Sequence, residues 1–173
     1  TTAWQPTDLL NITVGADIRR LTGETNEDAG FVNGAFLRRR RAGGNETFTG
    51  AFARAAFDPD HGPQIELSGR VDYWSLTDGE RIERRPSTGA LLREDTYADR
   101  DGFEPSVALT LQQDVGESVI LSASTSTSFR APTLNELYRP FRVRSDITEA
   151  NPELVPERFV SLSAGTTWQP SDE

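Results

Sequence analysis

The sequence predicts an all-β fold, an antiparallel up-and-down meander of about six strands, on three observations. Six segments alternate apolar and polar residues with period two, which is strand spacing. The connections between them alternate between short and long. No window approaches the ~18 consecutive apolar residues of a membrane helix, and no basic-then-apolar start resembles a signal peptide. If this chain meets a membrane, it does so with strands.

Leu10, Ile12, Val14, Ala16 and Ile18 alternate strictly with Asn11, Thr13, Gly15, Asp17 and Arg19. Residues 47–57 are the weakest strand: Phe48 and Phe52 share a face with Arg54 while small Ala residues fill the other, which suggests a bulge. Ile65, Leu67, Val71 and Tyr73 then oppose Glu66, Ser68, Arg70 and Asp72, one face greasy and the other charged. Phe103, Val107, Leu109 and Leu111 alternate with Glu104, Ser106, Thr110 and Gln112. Val119, Leu121, Ala123, Thr125 and Phe129 form one face of the fifth strand, against Ser122, Ser124, Ser126 and Arg130. The last sets Val160, Leu162, Ala164 and Trp168 against Phe159, Ser161, Ser163 and Thr167.

Asp58-Pro59-Asp60-His61-Gly62 and Asp114-Val115-Gly116-Glu117 read as tight hairpin joints. The other connections, roughly 22–46, 78–101 and 131–156, each exceed 20 residues and fall at the same end. Loops beyond ~12–15 residues are uncommon in compact domains. Short turns at one end and long loops at the other are the asymmetry of a transmembrane β-barrel. Trp4-Gln5-Pro6-Thr7-Asp8 resembles Trp168-Gln169-Pro170-Ser171-Asp172, and both read as turns on the short-loop side, with Trp4 and Trp168 in an interfacial aromatic girdle. On this reading the chain is three hairpins cut at turns.

The composition is compatible with that reading. Hydrophobic residues make up 35%, as expected when lipid-facing and lumen-facing residues alternate. With no Cys there is no disulfide framework, thiolate metal site or thiol nucleophile. A net charge of −9 argues against nucleic acid as a partner, because such binding draws its affinity from neutralising phosphates.

One linked pair of phrases is more specific. Ser128-Phe129-Arg130-Ala131-Pro132-Thr133-Leu134-Asn135-Glu136-Leu137-Tyr138, followed by Asn151-Pro152-Glu153-Leu154-Val155-Pro156-Glu157, resembles the barrel signature of TonB-dependent outer-membrane receptors. In that family a phrase like "sFRAPtlnELY" ends a strand and "NPeLkPE" opens the next. Val155 stands where the family often has Lys, and Ser163-Ala164-Gly165 falls in the expected downstream strand. Physically, Pro132, Pro152 and Pro156 punctuate the strand ends, Thr133 and Glu136 have capping-box spacing, and Arg130 is placed to pair with Glu157 or with a carboxylate of the family's plug domain.

The resemblance implies that residues 1–173 are a partial barrel domain, one arc of a 22-stranded barrel without its plug. It implies a location in the outer membrane of a Gram-negative bacterium and outer-membrane lipid around the strands. The partners it implies are a TonB complex reached through the plug and a small nutrient ligand, first of all an iron-siderophore. No cofactor is implied. An isolated arc of this kind is expected to self-associate through its apolar face and open edges, or to curl so as to bury Ile12, Val14, Ile65, Leu67, Leu109, Leu111, Leu121 and Leu162.

Among other candidates, Arg38-Arg39-Arg40-Arg41 reads as a run in the first long loop, able to attract anions. His61 and its flanking Asp58 and Asp60 read as turn chemistry, not as a metal site, and no catalytic constellation is visible. The alternatives left by the residues are a soluble β-sandwich carbohydrate-binding or other ligand-binding module, whose apolar face would pack on a second sheet, and an enzyme on an all-β scaffold.

Overall fold

A computed structural model describes residues 1–143 and 146–169. The predicted antiparallel meander is present. Its strands are β1 (Thr2–Thr7), β2 (Leu10–Val32), β3 (Ala35–Phe57), β4 (Gln64–Arg84), β5 (Leu91–Thr96), β6 (Arg100–Val115) and β7 (Val119–Arg130), then β8 (Phe141–Val143), β9 (Asp146–Thr148) and β10 (Glu157–Trp168). The main sheet runs β1-β2-β3-β4-β6-β7-β10, with β5 added to the upper part of β4; β8 and β9 form a separate hairpin. A five-residue helix, α1 (Leu134–Tyr138), lies between β7 and β8.

The meander has seven strands because Trp4-Gln5-Pro6-Thr7 is not a turn. It lies in β1, with Trp4 opposite Ile12, and the turn is Asp8-Leu9. In its counterpart at the other end of the chain, residues 170–172 lie outside the described residues.

The first long loop is also corrected. β2 and β3 are 23 residues each and continue through 22–46 to a two-residue turn at Asn33-Gly34. Both turn residues have positive φ, 51° and 81°, the backbone of the tight hairpin that Asn-Gly favours. No apolar alternation marks this stretch, because opposite charges replace it: Asp28 sits directly across from Arg39, and Glu27 from Arg40. The second long connection is likewise mostly strand, with Glu83 opposite Arg93 and Arg81 opposite Asp95 on the β4–β5 hairpin. Only residues 131–156 form a long connection. Residues 47–57 pair without interruption on both sides; the irregularity lies above them, where Gly44 faces both Asp78 and Gly79. That extra residue, with Asp78 at φ 55°, reverses the alternation of upper β4 and turns Arg81 and Glu83 to the polar face.

The register aligns the apolar residues into rows. Trp4, Ile12, Ala55, Leu67, Leu109, Thr125 and Leu162 stand side by side across the sheet, next to Leu10, Phe57, Ile65, Leu111, Ala123 and Ala164. The belt ends upward at Ile18, Thr49, Tyr73 and Phe103, above which the same face carries Arg20, Thr47, Ser75 and Asp101. From Leu10 to Ile18 the belt is about 20 Å high at ~3.3 Å per residue and ~45° of strand tilt. Nothing covers it among the described residues: Val14, Leu67, Leu111 and Leu121 are exposed, and Leu162 is 84% exposed. The second sheet that a β-sandwich requires is absent there too, since the only other sheet is the β8–β9 hairpin.

The buried core lies high on the opposite face. Ala42, Phe48, Trp74 and Leu76 from β3 and β4 meet Leu137 and Tyr138 from α1, so the third connection folds back onto the sheet.

Candidate functional site

The polar face is built from charge ladders that the register aligns. Asp17, Gly50, Asp72 and Glu104 are neighbours across β2, β3, β4 and β6. Arg70 lies over Gly50, where a Cβ would meet its guanidinium, and so reaches across β3 to bind Asp17 (2.7 and 3.0 Å) while its Nε donates to Asp72 (2.7 Å). Arg158 of β10 donates to Glu104 at 2.7 and 3.1 Å.

Above this ladder the motif residues assemble into one strap, residues 131–156, docked on the polar face. Thr133 caps α1: its hydroxyl accepts from the Glu136 N–H, and the Glu136 carboxylate accepts from the Thr133 N–H, the capping box that the spacing predicted. Arg130 joins the two ends of the strap, donating to Glu136 (3.0 and 3.2 Å) and to Glu157 at the start of β10 (3.0 and 3.1 Å). The Arg130 hydrogen bond, helped by the Thr133 N–H, holds the Glu136 carboxyl at about 2. Asn151 N–H donates to Glu136 O, and Arg100 donates to the carbonyl oxygens of Pro152 and Leu154. Pro132 is buried, Ala131 and Leu154 pack on the core, and Pro156 precedes β10.

Leu137 is fully buried and Tyr138 is 3% exposed. Tyr138 fits only because Gly44 and Gly79 stand beneath it: a Cβ on Gly79 would lie 2.6 Å from the ring. It also stacks on Tyr97, with ring centroids 5.2 Å apart and planes at 18°. Phe129 departs from simple alternation. Its period-two partners Leu121 and Thr125 face the apolar belt, yet its ring lies against Phe48, 6.5 Å between centroids. The cause is local: β6–β7 pairing stops at Ala108 and Ser126, and the Val107 N–H is taken by the Thr127 hydroxyl, which frees upper β7 to turn.

The four consecutive arginines are not a loop run. They lie in β3, and each guanidinium already meets a carboxylate: Arg38 meets Glu83, Arg39 Asp28, Arg40 Glu27 and Glu83, and Arg41 Glu24 and Glu80. Cross-strand pairing neutralises the charge that would have drawn an anion. Arg40 belongs to a network, buried at Arg40, Arg81 and Glu83 and open at its strap end, that ties the strap to the sheet: Glu27 accepts from Arg40 (2.8 Å) and Arg139 (2.7 Å), Glu83 from Arg40 (2.8 Å) and Arg81 (2.7 Å), and Glu149 from Arg81 (2.9 Å). Burial raises the Glu27 and Glu83 carboxyls, but these hydrogen bonds outweigh it and hold both below the usual range.

Between the strap and the ladder lies a cleft of ≈ 660 Å³, lined by Asp17, Arg19, Glu46, Phe48, Arg70, Asp72 and residues 128–133. The motif thus contributes Phe129, Arg130, Ala131 and Pro132 to its wall, while Glu136, Leu137, Tyr138 and residues 151–157 fix the strap behind it. Glu46 and Arg19 were not legible in the sequence. They meet through the β2–β3 register, which no local pattern reveals.

A family model described as TonB dependent receptor-like, beta-barrel, matches residues 1–173. No curated protein and no solved structure matches the chain.

Proposed function

The chain belongs to the TonB-dependent receptor-like β-barrel family, and on that premise we propose that it forms part of the barrel wall of an outer-membrane receptor that imports a scarce nutrient, an iron-siderophore. Members of this family are receptors and transporters, not enzymes. The observation that carries the reading is the two-faced sheet: one face presents an uncovered apolar belt about 20 Å tall, most of the ~25 Å apolar band of an outer-membrane barrel, the other an aligned ladder of charges.

Lipid is the solvent that suits the first face, and an aqueous or plug-filled lumen suits the second. The upper halves of β2, β3 and β4 carry charge on both faces, as strands rising beyond the bilayer into water do. Residues 1–173 act as one arc, with ligand contact on the polar face and the upper loops, and with TonB acting through a plug domain. A separated arc self-associates through its apolar face and its edge strands β1 and β10.

The test is loss of the gene product in its host under iron limitation. The expected result is a growth defect with the affected ferric siderophore, reproduced by removing TonB, and recovery of the protein in the outer-membrane fraction. Normal growth on every ferric siderophore supplied refutes the siderophore assignment. Recovery of the protein in the soluble fraction refutes the receptor.

A further inference from the structure

The cleft beneath the strap holds two charged groups that the fold itself leaves unmatched. Glu46 is 7% exposed, yet among the described residues its carboxylate accepts no hydrogen bond and forms no ion pair. The carboxylate is not sealed off: among the described residues Trp74 Nε1 is the one fully buried side-chain polar atom without a partner, so the Glu46 oxygens open on the cleft, where a bound donor can reach them. Burial raises its carboxyl, and the charge of Arg19 only partly offsets that. Among the described residues Arg19 has no carboxylate within ion-pair distance; its guanidinium rests on the Phe48 ring, 4.7 Å from the centroid. The other arginines of the cleft are each outnumbered: Arg70 is held between Asp17 and Asp72, and Arg130 between Glu136 and Glu157. The lining itself carries three carboxylates, Asp17, Glu46 and Asp72, against three guanidiniums, and of the carboxylates only Glu46 is not held by an arginine.

We propose that this cleft is a subsite for an organic cation, an ammonium or guanidinium group that donates to Glu46 over the Phe48 and Leu21 floor. An anion would find the Arg70 and Arg130 guanidiniums already held by carboxylates and would meet the unpaired Glu46. A divalent metal suits it less, since among the described residues no three carboxylates or histidines are grouped to ligate one. Arg19 shows that a guanidinium stacks stably on Phe48. The cation is either part of a small nutrient or a basic side chain of a polypeptide segment seated against the polar face.

The proposal requires only the cleft, so it fails or stands separately from siderophore uptake, which the growth assay reads. The experiment titrates argininamide, and its neutral isostere citrullinamide, into the full chain in detergent by calorimetry. A small-molecule subsite gives saturable argininamide binding, at least tenfold weaker for citrullinamide and at least tenfold weaker in Glu46→Gln. Glu117→Gln, in the β6–β7 turn, leaves it unchanged, and Arg19→Gln, which frees Phe48, tightens it. A subsite for a basic side chain of a polypeptide instead binds the capped tripeptide Ala-Arg-Ala more tightly than argininamide, and Glu46→Gln weakens that binding at least tenfold. The proposal is overturned if citrullinamide binds equally well, if Glu46→Gln binds argininamide or the tripeptide like the parent, or if the parent binds neither argininamide nor the tripeptide.

Discussion

Adding a single methyl at Gly79 is predicted to undock the strap. The new Cβ would lie 2.6, 2.7 and 2.8 Å from Cζ, Cε1 and the hydroxyl of Tyr138. The ring has little freedom to move, because it stacks on Tyr97 and the fully buried Leu137 precedes it on α1. Gly79 has an ordinary φ, so the cost of Gly79→Ala is steric: about 1–3 kcal/mol for overpacking a filled core. Tyr138→Ala removes a buried aromatic and costs about 3–5 kcal/mol. Because both act on one contact, the effects should not add: Gly79→Ala in the Tyr138→Ala background should cost almost nothing.

The assay is amide hydrogen exchange on the full chain in detergent, read at Leu137 and Arg139, whose N–H groups donate to Thr133 and Asn135. At 1.4 kcal/mol per tenfold, protection should fall about 5- to 150-fold in Gly79→Ala and about 150- to 4,000-fold in Tyr138→Ala. Paired amides of lower β2 and β3 should be unaffected. Additive effects, or a Gly79→Ala protein with parental protection of α1, would refute the notch.

The remaining predictions concern charge and membrane. The Glu136 carboxyl lies below its unfolded value, so its bonds to Arg130 and Thr133 contribute fully above about pH 4.5 and are lost as pH falls towards about 2. Exchange at α1 should accelerate across that window, and Glu136→Gln should remove the pH dependence. Glu83 is buried between Arg40 and Arg81, so Glu83→Gln should destabilise by about 3 kcal/mol in denaturant titrations, the cost of leaving buried charge unpaired. An unchanged midpoint would mean that Glu27 and Glu149 suffice. In lipid vesicles, Leu67→Arg should cost about 2–4 kcal/mol while Thr110→Arg, on the polar face opposite Glu66, costs little; equal costs would show that the apolar belt does not face lipid.

Local patterns carried the lower half of the molecule. In the strands from Leu10 to Ile18, Ile65 to Tyr73 and Val119 to Thr125, side chains alternate between lipid-like and polar surroundings, so chemistry repeats every second residue and is visible in one dimension. The same holds for the capping box of α1, a contact between residues three apart. The upper half hid itself. Its strands are wet on both faces and held by ion pairs between residues such as Asp28 and Arg39, which read as loop charges until the register sets them opposite each other. The Asn33-Gly34 dipeptide was the one local sign of that hairpin.

By itself the sequence determined the fold class, the two faces of the sheet and the family phrase, because each rests on neighbours along the chain. The tertiary structure decided where the strap docks, which arginines are neutralised and that Glu46 and Arg19 share a cleft. These depend on residues tens of positions apart being brought together by register, by the extra residue opposite Gly44 and by the glycine notch that admits Tyr138.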